Sequence, residues 1–331
     1  MILPYLPRLV CLCLAALFLV HGALGLAVSA VAPWAVRYAR RMEPANGARA
    51  LLALRLFPAG FSLFVVAGLC TPSYLWLEPK DEPEAMGWAC LAAAVLGLAL
   101  WGWSLGRAAR TLGRSFGHVR ECRSRSREMR LPGERRAAWA IDRAAPSVML
   151  VGVFRPRLVI SRSIVAALSA EQLAAVIRHE RAHALSHDNF KRLLALLAPG
   201  ILPGLVHLER GWAKLAEWAA DDRAAGGSAR ASLSLASALV RVARLGSAGR
   251  PPGPAGRPLG PLATALLAEG ADLSERVDRL LDPARRAARR RNREPVLSAS
   301  GGLLLTGALL AVLAHPVTLH SAHELLELLI Q

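Results

Sequence analysis

The stretch VIRHERAHALS, residues 176–186, decides how this chain is read. Within it, His179-Glu180-Arg181-Ala182-His183 places two imidazoles four residues apart. On a helix that spacing puts both on one face, one turn apart, where they can share one zinc ion. Glu180 then lies beside the metal, placed to take a proton from a water that the zinc acidifies. Leu168-Ser169-Ala170-Glu171 marks the helix start, with Ser169 as N-cap. Leu173, Val176, Ile177 and Ala184 can pack this helix against a core.

Working outward, residues 147–161 (SVMLVGVFRPRLVIS) hold two short β-type runs around Phe154-Arg155-Pro156-Arg157. They read as a hairpin turning at the proline, with an edge that can receive an extended peptide. Downstream, Leu193 to Leu208 lacks charged side chains but is broken by Pro199 and Pro203. It is too short and too kinked to span a bilayer, so a buried helix pair or a segment dipping into the membrane surface is expected. Next comes AEWAADDRAA, residues 216–225. Glu217 and Asp221 share a helical face. A carboxylate completes a His₂Glu site, so Glu217 is the candidate third zinc ligand. Asp221, one turn on, can hold the far nitrogen of a metal-bound histidine. His187, one turn past His183, is expected behind the site or at the surface.

The rest of the chain is membrane-like. Hydrophobic residues make up 54 % of the 331 and mean hydropathy is +0.35. Four stretches lack Lys, Arg, Asp and Glu long enough to cross a bilayer: Arg8 to Arg37, Arg55 to Glu78, Glu84 to Arg107, and from Glu294 to about Pro316. The first exceeds a signal peptide in length, and positive charge is concentrated after it, so it is read as a retained span. The expected spans are about 9–36, 56–77, 85–106 and 296–316, with a zinc peptidase domain at 107–295 and a short tail at 317–331.

Arg37, Arg40, Arg41, Arg49 and Arg55 lie between the first two runs, whereas Glu78, Asp81, Glu82 and Glu84 follow the second. The positive-inside rule places the N-terminus outside and the domain in the cytoplasm. Residues 106–296 carry 34 of the 41 Lys and Arg but 17 of the 24 Asp and Glu, so the entire formal charge of +17 sits there. Such a domain is drawn to anionic inner-leaflet lipids. No helix-turn-helix, zinc finger or aromatic-interleaved basic strip accompanies the charge, so no direct nucleic-acid binding is expected. The five cysteines have no zinc-finger spacing and read as small buried hydrophobes.

HExxH, an apolar hairpin of some 35 residues, E-x-x-A-D at 217–221, the GVFRPRLVIS strand segment and RVDRLL at 276–281 together resemble the BlaR/MecR-type membrane zinc peptidases, the family of the β-lactam sensor proteases. The likeness covers about residues 5–315. It implies His179, His183 and Glu217 as zinc ligands, Glu180 as the base and Asp221 as the carboxylate behind a ligand. It also implies a protein substrate, either a cytoplasmic transcriptional repressor or the protease itself. Two features depart from the family. Arg181 puts a charge inside the motif, where it must face away from the metal or meet a carboxylate. Only His315–Gln331 follows the last run, so β-lactam sensing is not carried over.

The expected fold is thus a mainly α membrane protein: four transmembrane helices with a cytoplasmic zincin-like α+β metalloprotease domain, in the inner (cytoplasmic) membrane. Two rival readings differ in mechanism or class. A heat-shock-type or CAAX-type membrane zinc protease would place more membrane between the two motifs. An inactive signalling scaffold would have no use for Glu180.

Overall fold

The computed structural model describes residues 4–79, 86–131, 137–142, 147–248, 264–265, 273–282 and 324. The fourth apolar run, the C-terminal tail and most of the proline-rich stretch 246–271 lie outside them.

The first three apolar runs form helices long enough to cross a membrane: α1 (Tyr5–Ala39), a continuous rod over Pro44–Leu77, and α4 (Trp88–Arg125). The rod comprises α2 (Pro44–Val65), a π-helical turn (Val66–Cys70) and α3 (Thr71–Leu77). Pro72 explains the wide turn. It has no N–H to donate and its ring crowds the carbonyl four residues back, so the helix expands. The Thr71 hydroxyl fills the gap by donating to the Val66 carbonyl at 2.9 Å.

Small residues let these helices approach closely. A Cβ on Gly97 of α4 would collide with the Leu14 carbonyl of α1. At one end of the bundle Arg8 is buried against Glu78 at 2.9 Å and donates to the Tyr74 hydroxyl at 2.7 Å. Exposed Trp76 and Trp88 ring that end, and exposed Trp103 and Trp34 lie towards the other. Trp88 and Trp103 are fifteen residues apart on α4, roughly 22 Å along its axis, which suits two aromatic belts.

Arg49 and Arg55, between the first two apolar runs in sequence, both lie within α2, and Arg55 is buried. The helix of the third run extends beyond 106. It continues to Arg125, because residues 107–125 still offer Ala108, Ser115 and Cys122 as a buried stripe while their arginines face outward.

Beyond α4 lies a small sheet: β1 (Ser126–Met129), β2 (Ala138–Ile141), β3 (Val148–Val151), β4 (Arg157–Ser161) and β5 (Thr264–Ala265). Its spatial order is β1-β2-β4-β3-β5, and only the β2–β4 pair is parallel. The hairpin read at 147–161 is present, with Val148 opposite Ile160 and Val151 opposite Arg157. Both sheet faces are covered, which is why β2 and β3 read as unbroken apolar runs. Trp139, Met149, Val151 and Val159 pack with Cys122 of α4. Ala138, Val148 and Ile160 face the other core.

That second core is made by α5 (Arg162–Ala167), α6 (Ala170–Ser186), α9 (Ala229–Ala248) and α10 (Leu273–Leu281). Val176 and Ile177 of α6 meet Leu235, Leu239 and Val242 of α9 there. Ser169 caps α6 as read from the sequence: its hydroxyl accepts from the Gln172 N–H at 3.2 Å, and the Gln172 side chain accepts from the Ser169 N–H at 3.0 Å.

The apolar stretch after the motif is a helical hairpin, α7 (Asp188–Leu197) and α8 (Pro203–Ala225). It is wedged among the long helices: α8 packs on α1 and α2, and α7 on α4. Gly204 at the start of α8 touches the Ser29 backbone so closely that no side chain fits. Neither hairpin helix is among the span-length apolar helices of the described residues.

Candidate metal centre

Helix α6 presents His179, Glu180 and His183, and α8 presents Glu217 and Asp221 across from them. The two helices pack together, so residues 34 or more positions apart converge. The His179 and His183 Nε2 atoms are 3.2 Å apart. Glu217 places Oε2 3.5 Å from the first and Oε1 3.4 Å from the second. Zinc–ligand bonds near 2.0–2.1 Å give a tetrahedral edge of about 3.3–3.4 Å. The two nitrogens and the carboxylate oxygen nearest each are thus spaced as the edges of a zinc tetrahedron require, and His179, His183 and Glu217 form the only such group of three among the described residues.

Each imidazole is held from behind. Asp221 Oδ1 lies 2.9 Å behind His179 Nδ1. His183 Nδ1 donates to Asp188 Oδ2 at 2.7 Å. Fixing Nδ1–H in this way turns both Nε2 lone pairs to the shared point. Asp188 was not singled out from sequence. It reaches His183 because α6 breaks at His187, the one non-glycine residue of the described backbone with positive φ, at 55°. The break leaves His187 exposed, consistent with a surface role, and starts α7 with Asp188 turned back under the site. Arg181 is exposed, away from the metal face.

Arg276 of α10 is the second residue that sequence reading missed. Its Nε and Nη2 each lie 2.8 Å from a different oxygen of Asp221, and its Nη1 lies 3.2 Å from Glu217 Oε2. The only signal for it was the RVDRLL segment. It is 97 residues from His179 in sequence yet 3.5 Å from the His179 Nε2 in space.

The electrostatics call for a dication. Four carboxylates (Glu180, Asp188, Glu217 and Asp221) crowd this pocket; Arg276 opposes Asp221 and Glu217, and Lys191 reaches Asp188 Oδ1 at 3.4 Å. Burial pushes His179 and His183 down, but the carboxylates outweigh it: His179 is raised by Asp221 and Glu217, and His183 reaches about 10 through Glu217 and Asp188. Burial pushes Glu217 up, yet the two histidines and Arg276 hold it well below the usual carboxylate range. Asp221 is likewise lowered, against its burial, by Arg276 and His179. Glu180 differs: burial dominates and lifts it to about 7 despite the neighbouring histidines. Both its carboxylate oxygens are buried with no hydrogen-bond partner. A buried unpartnered acid at the metal face is what a general base awaiting its water requires.

The β3 edge near the site is not open. β5 pairs with it, Leu150 opposite Thr264 and Met149 opposite Ala265.

The fold and site together define a metallopeptidase-type domain, with an HExxH helix, a downstream acidic helix and an adjoining sheet. Residues 123–246 match the model of peptidase family M48. That stretch runs from the end of α4 into α9 and contains His179, Glu180, His183, Glu217 and Asp221, while Arg276 lies beyond it. The match covers less than half of the chain, is to a metallopeptidase family, and does not single out the BlaR/MecR type. No curated protein and no solved structure matches the chain.

Proposed function

We propose that this protein is a membrane-embedded zinc metalloendopeptidase that cleaves a cytoplasmic or membrane-proximal protein. The observation that carries the reading is the pairing of a tetrahedral ligand face with a buried, unpartnered Glu180 beside it. His179, His183 and Glu217 would hold the ion, which when bound would supply Lewis acidity to the scissile carbonyl and the attacking water. Glu180 is placed to accept a proton on its carboxylate and return it to the leaving amine. Asp221 and Asp188 keep both imidazoles in the ligating tautomer, and Arg276 keeps Asp221 and Glu217 ionised and in place.

The positive loop after the first span favours an outward N-terminus and a cytoplasmic domain in the inner membrane, at residues 107–295. The basic surface of that domain rests on anionic lipids. The apolar run at 296–316, outside the described residues, is the expected fourth span of this proposal. The absence of a span-length helix in the hairpin between the motifs favours this arrangement over one with membrane between them. The pairing of β5 on the β3 edge supports self-cleavage as a second substrate reading beside a transcriptional repressor, because a strand of the chain itself lies where an extended substrate would add. Incubating the detergent-purified protein with an unfolded reporter polypeptide tests the activity. Cleavage that chelation removes and zinc restores supports the reading, and metal-independent cleavage contradicts it.

A further inference from the structure

Helix α7 ties the spanning bundle to the metal site. Its far end is held by two buried side chains of the long helices. Arg55 of α2 donates through Nη2 to the carbonyls of Ala195 at 2.9 Å and Ala198 at 3.0 Å, and through Nη1 to that of Pro199 at 3.5 Å. Ser104 of α4 donates to the carbonyls of Leu196 at 2.8 Å and Leu197 at 3.0 Å. The last carbonyls of a helix have no partner of their own, and among apolar helices no water supplies one. Arg55 and Ser104 answer that need and fix where α7 ends.

The near end of α7 reaches the site. Asp188, its first residue, holds His183 Nδ1 at 2.7 Å. Asn189, its second, donates to the Gly152 carbonyl at 2.8 Å and the Leu150 carbonyl at 3.3 Å, at the end of β3. Ten residues, roughly 15 Å of rigid helix, thus separate the Arg55 clamp from the carboxylate that aims a metal ligand. Gly200 is the complement of the clamp: a Cβ there would fall on the Arg55 guanidinium, and with that side chain enclosed the guanidinium must leave its carbonyls.

We propose that Arg55 is a positioning residue for the metal site, acting through α7 and Asp188 on His183, so that the packing of α2 and α4 sets the ligand geometry. This rests on reading His183 as a zinc ligand. Losing a carboxylate behind a metal-bound histidine weakens metal affinity about 10–100-fold. Losing Arg55 releases the far end of the same helix and is expected to weaken zinc several-fold to about tenfold through the same bond.

The test is a double-mutant cycle on the full chain in detergent, with zinc affinity read by chelator competition. The variants are Arg55→Met, Asp188→Asn and their combination. Arg55 acting through Asp188 predicts non-additivity, with the double variant no weaker than Asp188→Asn alone and Arg55→Lys restoring part of the loss. Gly200→Ala repeats the cycle with Arg55 in place and the fold less disturbed, and its effect should also vanish in the Asp188→Asn background. Additive losses in the Gly200→Ala cycle, or unchanged affinity in both Arg55→Met and Gly200→Ala, overturn the proposal. A wild type that binds no zinc overturns the site reading together with it, whereas a zinc-binding wild type with additive losses overturns this inference alone.

Discussion

Asp188 and His183 face each other across the break between α6 and α7, with Oδ2 2.7 Å from Nδ1. With Asp221 doing the same for His179, both imidazoles are aimed before any metal arrives. In the proposed reading the site is preorganised, with His179, His183 and Glu217 as ligands, Glu180 as base, and Asp188, Asp221 and Arg276 as supports.

Glu180→Gln separates binding from chemistry. Zinc content should persist, since Glu180 is not a ligand, while cleavage should fall about 10²–10⁴-fold or more. Undiminished turnover would remove Glu180 from the mechanism. The same variant has a second signature without metal. Glu180 is raised from 4.5 to about 7, mainly by burial, so the folded state keeps its proton longer than the unfolded chain. Stability then falls as pH rises from 4.5 through 7, by about 3 kcal/mol in all. Chelated Glu180→Gln should melt above chelated wild type at pH 8, with the difference vanishing below pH 4.5. A difference independent of pH would contradict it.

Zinc binding should release protons. His183 is raised to about 10 without metal, so it is protonated near pH 7 and must lose that proton to ligate, and the carboxylates raise His179 in the same direction. Calorimetry in buffers of differing ionisation enthalpy should report net proton release, about one per zinc from His183. Affinity should fall by roughly tenfold or more for each pH unit below 7. Release of none would mean that the histidines are not the ligands.

Arg276→Met leaves Asp221 and Glu217 buried against each other without their shared cation. Breaking such a buried pair costs about 3–5 kcal/mol. The loss should be larger in chelated than in zinc-loaded protein, because the dication partly replaces the arginine. Arg276→Lys should restore little, since an ammonium cannot meet both Asp221 oxygens and Glu217 in the guanidinium geometry. Equal melting temperatures for wild type and Arg276→Met, without metal, would show that the arginine is dispensable.

Orientation has its own test. A reporter fused after Arg143 should behave as cytoplasmic, and labelling at that point by an impermeant reagent from outside would overturn the topology.

What could be read from sequence was local and periodic. His179, Glu180 and His183 follow from helical spacing, and Glu217 with Asp221 from the same rule, so α6 and α8 disclosed their own faces. Ser169 and the 147–161 hairpin were legible because capping and turn chemistry are short-range. The parallel β2–β4 pairing was not, since it joins residues some twenty apart with no turn between them. Asp188 was hidden because its role depends on a left-handed histidine, where glycine or asparagine would have signalled the break. Arg55 was read as one more loop charge, although its position within an apolar packing environment makes it the clamp of α7. Arg276 was obscured by distance along the chain, which no periodicity bridges.

The most direct measurement is zinc per chain in the detergent-purified protein, wild type beside Glu217→Ala. A His₂Glu site requires about one zinc in the wild type and its loss in the variant. No zinc in either after reconstitution, or one zinc retained in both, would contradict it.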